Sequence, residues 1–140
     1  MRTLKFRVWN PTYQEMLYPS SPTKNGDYEE KIYFQLDGQL IGDFKHTGLV
    51  NCSENYVIQQ FTGMLDKNSK EIYEGDIVKT IYEEMPIAVV QYALEFCSYR
   101  LLTKDNKSFA LRTFRYENEK PIGLIDVIEE VTGNIFENEL

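Results

Sequence analysis

The chain is poor in the residues that enzymes and metalloproteins lean on most. It has a single histidine, His46, two cysteines, Cys52 and Cys97, and one tryptophan, Trp9. Two cysteines cannot build a disulfide framework, and neither has a Cys or His neighbour at metal-ligand spacing. A Cys–His pair drawn from His46 and Cys52 or Cys97 is the minimal nucleophilic arrangement, but nothing around these residues supplies a third, orienting group. They read as a loop histidine and two reduced, buried cysteines. A Gly-rich phosphate cradle is missing too, because Gly63 and Gly75 lack its spacing. No catalytic, cofactor or metal constellation is expected, and the chain reads as a non-enzyme.

Long apolar runs are also absent. The longest uncharged stretch, Asn55 to Leu65, is far short of the ~20 residues that span a bilayer. Lys5 and Arg7 fall where an export signal needs its apolar stretch, so a cytoplasmic protein with no membrane partner is expected. Basic residues are outnumbered: 15 Lys and Arg face 22 Asp and Glu, a formal net charge of −7. That excess disfavours a nucleic-acid partner, since phosphates are neutralised by Lys and Arg.

What the chain has in quantity is aromatic side chains. Ten Tyr, eight Phe and one Trp make 14%, and such rings suit pleated, half-buried surfaces. Its 140 residues fit one domain or two small subdomains, with enough buried surface to dispense with disulfides.

Residues 3–9 alternate, with Leu4, Phe6 and Val8 on one face and Lys5, Arg7 and Trp9 on the other, the period of a half-buried strand. Asn10-Pro11-Thr12 is turn chemistry, and residues 13–18 return as a partner strand. Breakers crowd residues 19–26, which predicts a mobile loop near 19–30. Asp37-Gly38 between residues 31–36 and 39–43 is a strong hairpin signal. Residues 56–62 are strand-like, and Asp66-Lys67-Asn68-Ser69 is turn-prone. Gly75-Asp76 makes a corner that aims residues 77–81 into the core. Strands are predicted over 85–92, 96–103 and 109–116, with Asp105-Asn106-Lys107 turning between the last two. Residues 121–126 are ambiguous, and 127–136 form a final strand broken at Gly133. At most one or two short helices are expected, within 53–59 or at 117–126. The class is mainly β.

Three segments resemble the YopX-like family of phage and prophage proteins. They are Lys5-Phe6-Arg7-Val8-Trp9-Asn10, with Met16 shortly after; residues 60–68 continuing through 71–79; and residues 131–138. Ser69 departs from the pattern, where the family tends to have Gly. The resemblance implies phage or prophage origin in a bacterial host, and no assigned catalytic residue. It also implies a C-terminal SH3-like small barrel. The expected division is therefore a β-hairpin subdomain over 1–60 and a barrel subdomain over 61–140.

Two groups of residues stand out. Gly75, Asp76, Gly133 and Asn134 read as structural turns, with Asp76 capping its own turn through backbone N–H groups. A metal or acid–base cluster of Asp76 with Glu71, Glu74 and Glu83 is the weaker reading, because alternation spreads these carboxylates over different faces. The second group is a possible interaction surface: Lys5, Arg7 and Trp9 on the first hairpin, and Arg100, Arg112, Phe114 and Tyr116 further on. Trp and Arg are enriched at interface centres, while rings beside cations also suit single-stranded nucleic acid. The leading expectation is a homo-oligomer acting through an unknown phage or host protein. A nucleic-acid module using Arg100, Arg112 and Arg115 is the alternative.

Overall fold

The alternation at the start of the chain becomes a strand, β1 (Phe6–Asn10), hydrogen-bonded antiparallel to β2 (Glu15–Leu17). Asn10 turns the corner by accepting, at its side-chain Oδ1, the N–H groups of Thr12 at 3.0 Å and Tyr13 at 3.3 Å. That is the Asx-turn that short polar side chains favour. These details come from a computed structural model that describes residues 3–18, 31–34, 39–44, 48–51, 54 and 56–138. The chain divides into two units, one of residues 6–59 and one of residues 1–5 with 60–140.

Besides the first hairpin, the 6–59 unit holds an antiparallel sheet of β3 (Lys31–Phe34), β4 (Leu40–Phe44) and β5 (Gly48–Asn51). Phe34 lies opposite Leu40 in this pairing, and the Asp37-Gly38 hairpin signal falls between them in sequence. Those two residues, the breaker-rich segment 19–30, His46 and Cys52 lie outside the described residues.

Strand β6 (Val57–Leu65) carries the chain from the first unit into the second. It pairs with β7 (Glu71–Tyr73) through a wide irregularity, with Phe61 opposite Tyr73 and Leu65 opposite Glu71. Gly63, at φ +89°, takes the left-handed turn there. The Thr62 hydroxyl donates to the Ile72 carbonyl at 2.8 Å.

Five strands follow as one antiparallel sheet in the order β11-β10-β9-β8-β14. They are β8 (Asp76–Thr80), β9 (Ile87–Ala93), β10 (Ser98–Leu102), β11 (Ser108–Ala110) and β14 (Ile128–Asn134). Ile72, Val78, Ala88, Val90 and Leu101 are wholly buried, joined by Leu111, Val127 and Ile128. The central strands β8 and β9 bury consecutive apolar residues, Ile77-Val78 and Ala88-Val89-Val90, as strands covered on both faces do. Between β10 and β11 the predicted turn is present, with Asn106 at φ +59° and its N–H on the Thr103 carbonyl.

The structure corrects the strand predicted over 109–116. It breaks at Leu111, which is buried and whose carbonyl accepts the Val127 N–H at 2.9 Å. Beyond the break, β12 (Arg112–Glu117) pairs only with β13 (Lys120–Asp126) among the described residues. Of the helix expected within 53–59 or at 117–126, Glu54 lies in a 3-10 turn, residues 57–59 are strand, and 117–126 falls in this hairpin. The last strand is not broken at Gly133 but runs through it, with a register shift between Val131 and Gly133. A 3-10 turn, Leu94–Phe96, links β9 to β10. The class is mainly β, as the sequence predicts.

Candidate functional site

The four predicted turn residues come together from two distant segments. Asp76 and Asn134 are paired across β8 and β14, and both are buried, at 1% and 4% exposure. Asp76 Oδ2 accepts the Tyr73 N–H at 2.8 Å, closing the turn around Gly75, which sits at φ +81°. Asp76 Oδ1 lies 3.5 Å from Asn134 Nδ2. The Gly75 N–H donates to the Val90 carbonyl, and its own carbonyl accepts the Ile135 N–H. Asn134 Oδ1 accepts the Phe136 N–H at 3.0 Å. A Cβ at Gly133 would collide with the Asn138 side chain.

The neighbouring carboxylates do not converge on Asp76. Glu71 accepts the Lys5 ammonium at one oxygen and the Tyr73 hydroxyl, at 2.7 Å, on the other. Both bonds favour the carboxylate, so its pKa lies below the usual Glu range: first through Lys5, then through Tyr73, against a smaller opposing effect of burial. Glu83 is exposed. Among the described residues no group of three or more His, Cys, Asp and Glu is placed to hold a metal ion.

Asp66 is a third organising carboxylate, and the sequence reading gave it no role beyond a polar turn. Its Oδ1 accepts the N–H groups of Asn68 at 2.8 Å and Lys70 at 2.9 Å, while Oδ2 accepts that of Val131 at 2.9 Å. Burial pushes this carboxyl up, but the N–H groups of Val131, Lys70 and Asn68 and the charge of Lys70 together hold it below its ordinary value.

The predicted interaction surface separates into unlike pieces. Arg7 and Trp9 are 3% and 5% exposed, which corrects their assignment to a surface. The Arg7 guanidinium donates from Nε to Gln59 Oε1 at 2.7 Å, so alternation finds the strand, and the face carrying Arg7 and Trp9 is its buried one. Lys5 is half-buried and occupied by Glu71. Arg100 lies in the five-stranded sheet, stacked 4.4 Å from the Phe96 ring centre and donating to Ser108 Oγ at 3.1 Å. Arg112, Phe114 and Tyr116 belong to the separate β12–β13 ribbon, where Arg112 pairs with Asp126 at 2.7 Å.

On that ribbon Phe114 and Tyr116 are 53% and 61% exposed, as are Ile122 at 52% and Leu124 at 59%. Ile122 and Leu124 were missed because the turn before them is disguised. Asn118 and Glu119 both take positive φ, 49° and 62°, the requirement of a type I′ hairpin normally written Asn-Gly. Cys97 is exposed, not buried as the sequence suggests. It occupies the left-handed position that ends the 3-10 turn, where Leu94 and Phe96 are also exposed. Separately, a cavity of about 590 Å³ opens beside β9, lined by Tyr82, Met85, Ile87 and Phe109, with Lys104, Lys107, Glu84 and Asp105 balancing in charge.

The sequence pattern of the YopX protein family matches residues 5–140. The chain belongs to the YopX family. Two crystal structures share the fold over 99% of this chain and 96% of each of theirs. One is protein yopX from Bacillus subtilis, at 16% identity and TM-score 0.50, and the other is protein EF1440 from Enterococcus faecalis, at 24% identity and TM-score 0.51. At these identities the likeness shows the fold alone. No curated protein matches the chain. Two of the segments that carry the YopX resemblance meet in space: Asp66 bonds Val131, and Asp76 bonds Asn134. These bonds tie the middle of the chain to its last strand within the second unit. Among the described residues no helix is long and apolar enough to cross a membrane.

Proposed function

We propose that this YopX family member is a non-enzymatic accessory protein of phage or prophage origin. On this reading it works in the cytoplasm of the bacterial host through protein–protein contacts, as a homo-oligomer. The observation that carries the proposal is the clustering of large apolar side chains at the surface of the second unit. Phe114, Tyr116, Ile122 and Leu124 share one hairpin, and Leu94 and Phe96 share one turn. Isolated exposed hydrophobics are ordinary, whereas contiguous ones mark contact surfaces. The SH3-like barrel belongs to the same proposal, supported by a five-stranded antiparallel sheet in which the last strand returns to pair with β8.

A nucleic-acid-binding module is less well supported. Arg112 is neutralised by Asp126, Arg100 is spent on Phe96 and Ser108, and the chain carries a net charge of −7. A carboxylate-held metal around Asp76 is weaker still, since that carboxylate is buried and already accepts the Tyr73 N–H. The deciding experiment combines light scattering on the purified chain with affinity capture from the bacterial host. An oligomer, alone or with a specifically retained protein, is expected. A strict monomer that captures nothing overturns the proposal.

A further inference from the structure

The β8–β9 and β10–β11 loops leave the sheet at the same end, because β9 and β10 are antiparallel neighbours with Leu102 opposite Val89. Between them opens the cavity of about 590 Å³, within the size range of small-molecule sites. Its walls are built in advance. The Thr80 hydroxyl donates to the Met85 carbonyl and accepts the Tyr82 N–H, while the Thr103 hydroxyl accepts the Lys107 N–H at 3.2 Å. The Tyr82 and Phe109 rings pack against the core and also line the cavity. Met85 and Ile87 extend the apolar lining, and Ile87 is 49% exposed.

We propose that this cavity binds a small aromatic zwitterion, with a free aromatic amino acid as the simplest member of the class. The site is separate from the protein-contact reading and does not rest on it. Two rings and a thioether favour an aromatic body, through ring–ring and sulfur–ring contacts. Charge then sets the ends. Glu84, Lys104, Asp105 and Lys107 line the cavity, are exposed, and form no ion pair among the described residues. Two cations and two anions offer each end of a zwitterion an opposite charge. A ligand carrying one sign alone, a nucleotide phosphate included, meets as much repulsion as attraction there. An uncharged ring fills the apolar lining but engages none of the four charges.

The test is a titration of the isotope-labelled full chain with L-phenylalanine, followed through its amide NMR shifts. N-acetylphenylalanine, phenylalaninamide and N-acetylphenylalaninamide, which lack one charge or both, are the comparisons. Saturable shifts are expected at residues 82–87 and 103–109. Each singly blocked form should bind roughly two- to fivefold more weakly, the worth of an exposed ion pair. Lys104→Ala/Lys107→Ala changes only exposed side chains and should erase the advantage of L-phenylalanine over phenylalaninamide. Glu84→Gln should narrow its advantage over N-acetylphenylalanine. Absence of a saturable shift with L-phenylalanine, or shifts confined to other parts of the chain, overturns the proposal. Equal affinity for the free and doubly blocked forms overturns it too, as does a lysine variant that still prefers the free carboxylate.

Discussion

The carboxylate of Asp66 and the main-chain N–H of Val131 are 2.9 Å apart across 65 residues of sequence. With the two bonds from Asn68 and Lys70, this one side chain closes the β6–β7 turn and fastens it to the last strand. The backbone adds a second tie, from the Lys67 N–H to the Glu129 carbonyl at 3.0 Å. Asp66→Ala leaves three N–H groups without their acceptor and is expected to cost about 1–3 kcal/mol, read as a lower urea midpoint with an unchanged slope.

The pH dependence follows from the same geometry. Asp66 and Glu71 both have carboxyl pKa values lowered in the folded chain. A lowered folded pKa contributes stability that is fully present above the unfolded value and is lost as pH falls through the folded one. Urea unfolding at neutral pH and at pH values below the ordinary carboxylate range should therefore show a loss on acidification. Asp66→Asn should narrow that difference. An equal acid sensitivity in wild type and variant contradicts the assignment.

Much of the strand pattern was legible because period-two alternation and turn residues are local signals. Asn10, Gly75-Asp76 and Asp105-Asn106-Lys107 all turn where their chemistry requires. What was not legible depended on tertiary context. Nothing local says that Arg7 rather than Phe6 faces inward, because its burial depends on Gln59, 52 residues away. The break at Leu111 is set by its bond to Val127. The hairpin at 118–119 was hidden by a glutamate in a position that glycine usually marks. As to the site, the Asp76 turn could be read from sequence. The apolar ribbon could be read only in half, since Phe114 and Tyr116 were visible and their cross-strand partners were not.

Two of these misfits make a stability prediction. Ser69 and Glu119 sit at φ +64° and +62°, where an L side chain is strained and glycine is not. After allowing for glycine's greater freedom in the unfolded chain, Ser69→Gly and Glu119→Gly should each raise stability by about 0.5–1 kcal/mol. Thermal melts check this, and a lowered Tm for Ser69→Gly argues against a left-handed turn at that residue.

Asp76 separates a structural turn from a metal site. Its removal as Asp76→Ala strands the buried Tyr73 N–H and should cost about 1–3 kcal/mol, whereas Asp76→Asn keeps an acceptor oxygen and should cost less. Calorimetric titration of the wild type with Mg²⁺, Mn²⁺ or Ca²⁺ should give no binding heat. Saturable heat that vanishes in Asp76→Asn would restore the metal reading.

Trp9 offers the sharpest contrast between the surface and the interior. As an exposed contact residue it could be truncated with a stability change within about 0.5 kcal/mol. At 5% exposure it is instead a packed core side chain, and Trp9→Ala should cost about 3–5 kcal/mol through lost burial and the cavity left behind. Phe114→Ala, at 53% exposure, is the matched control. It removes an aromatic ring of similar kind from the ribbon and should leave the chain's own unfolding free energy nearly unchanged when measured at concentrations too low for association. Equal losses for the two variants would mean that the ribbon is packed within a single chain and is not a contact surface, whereas the expected split places Trp9 in the interior and Phe114 outside it.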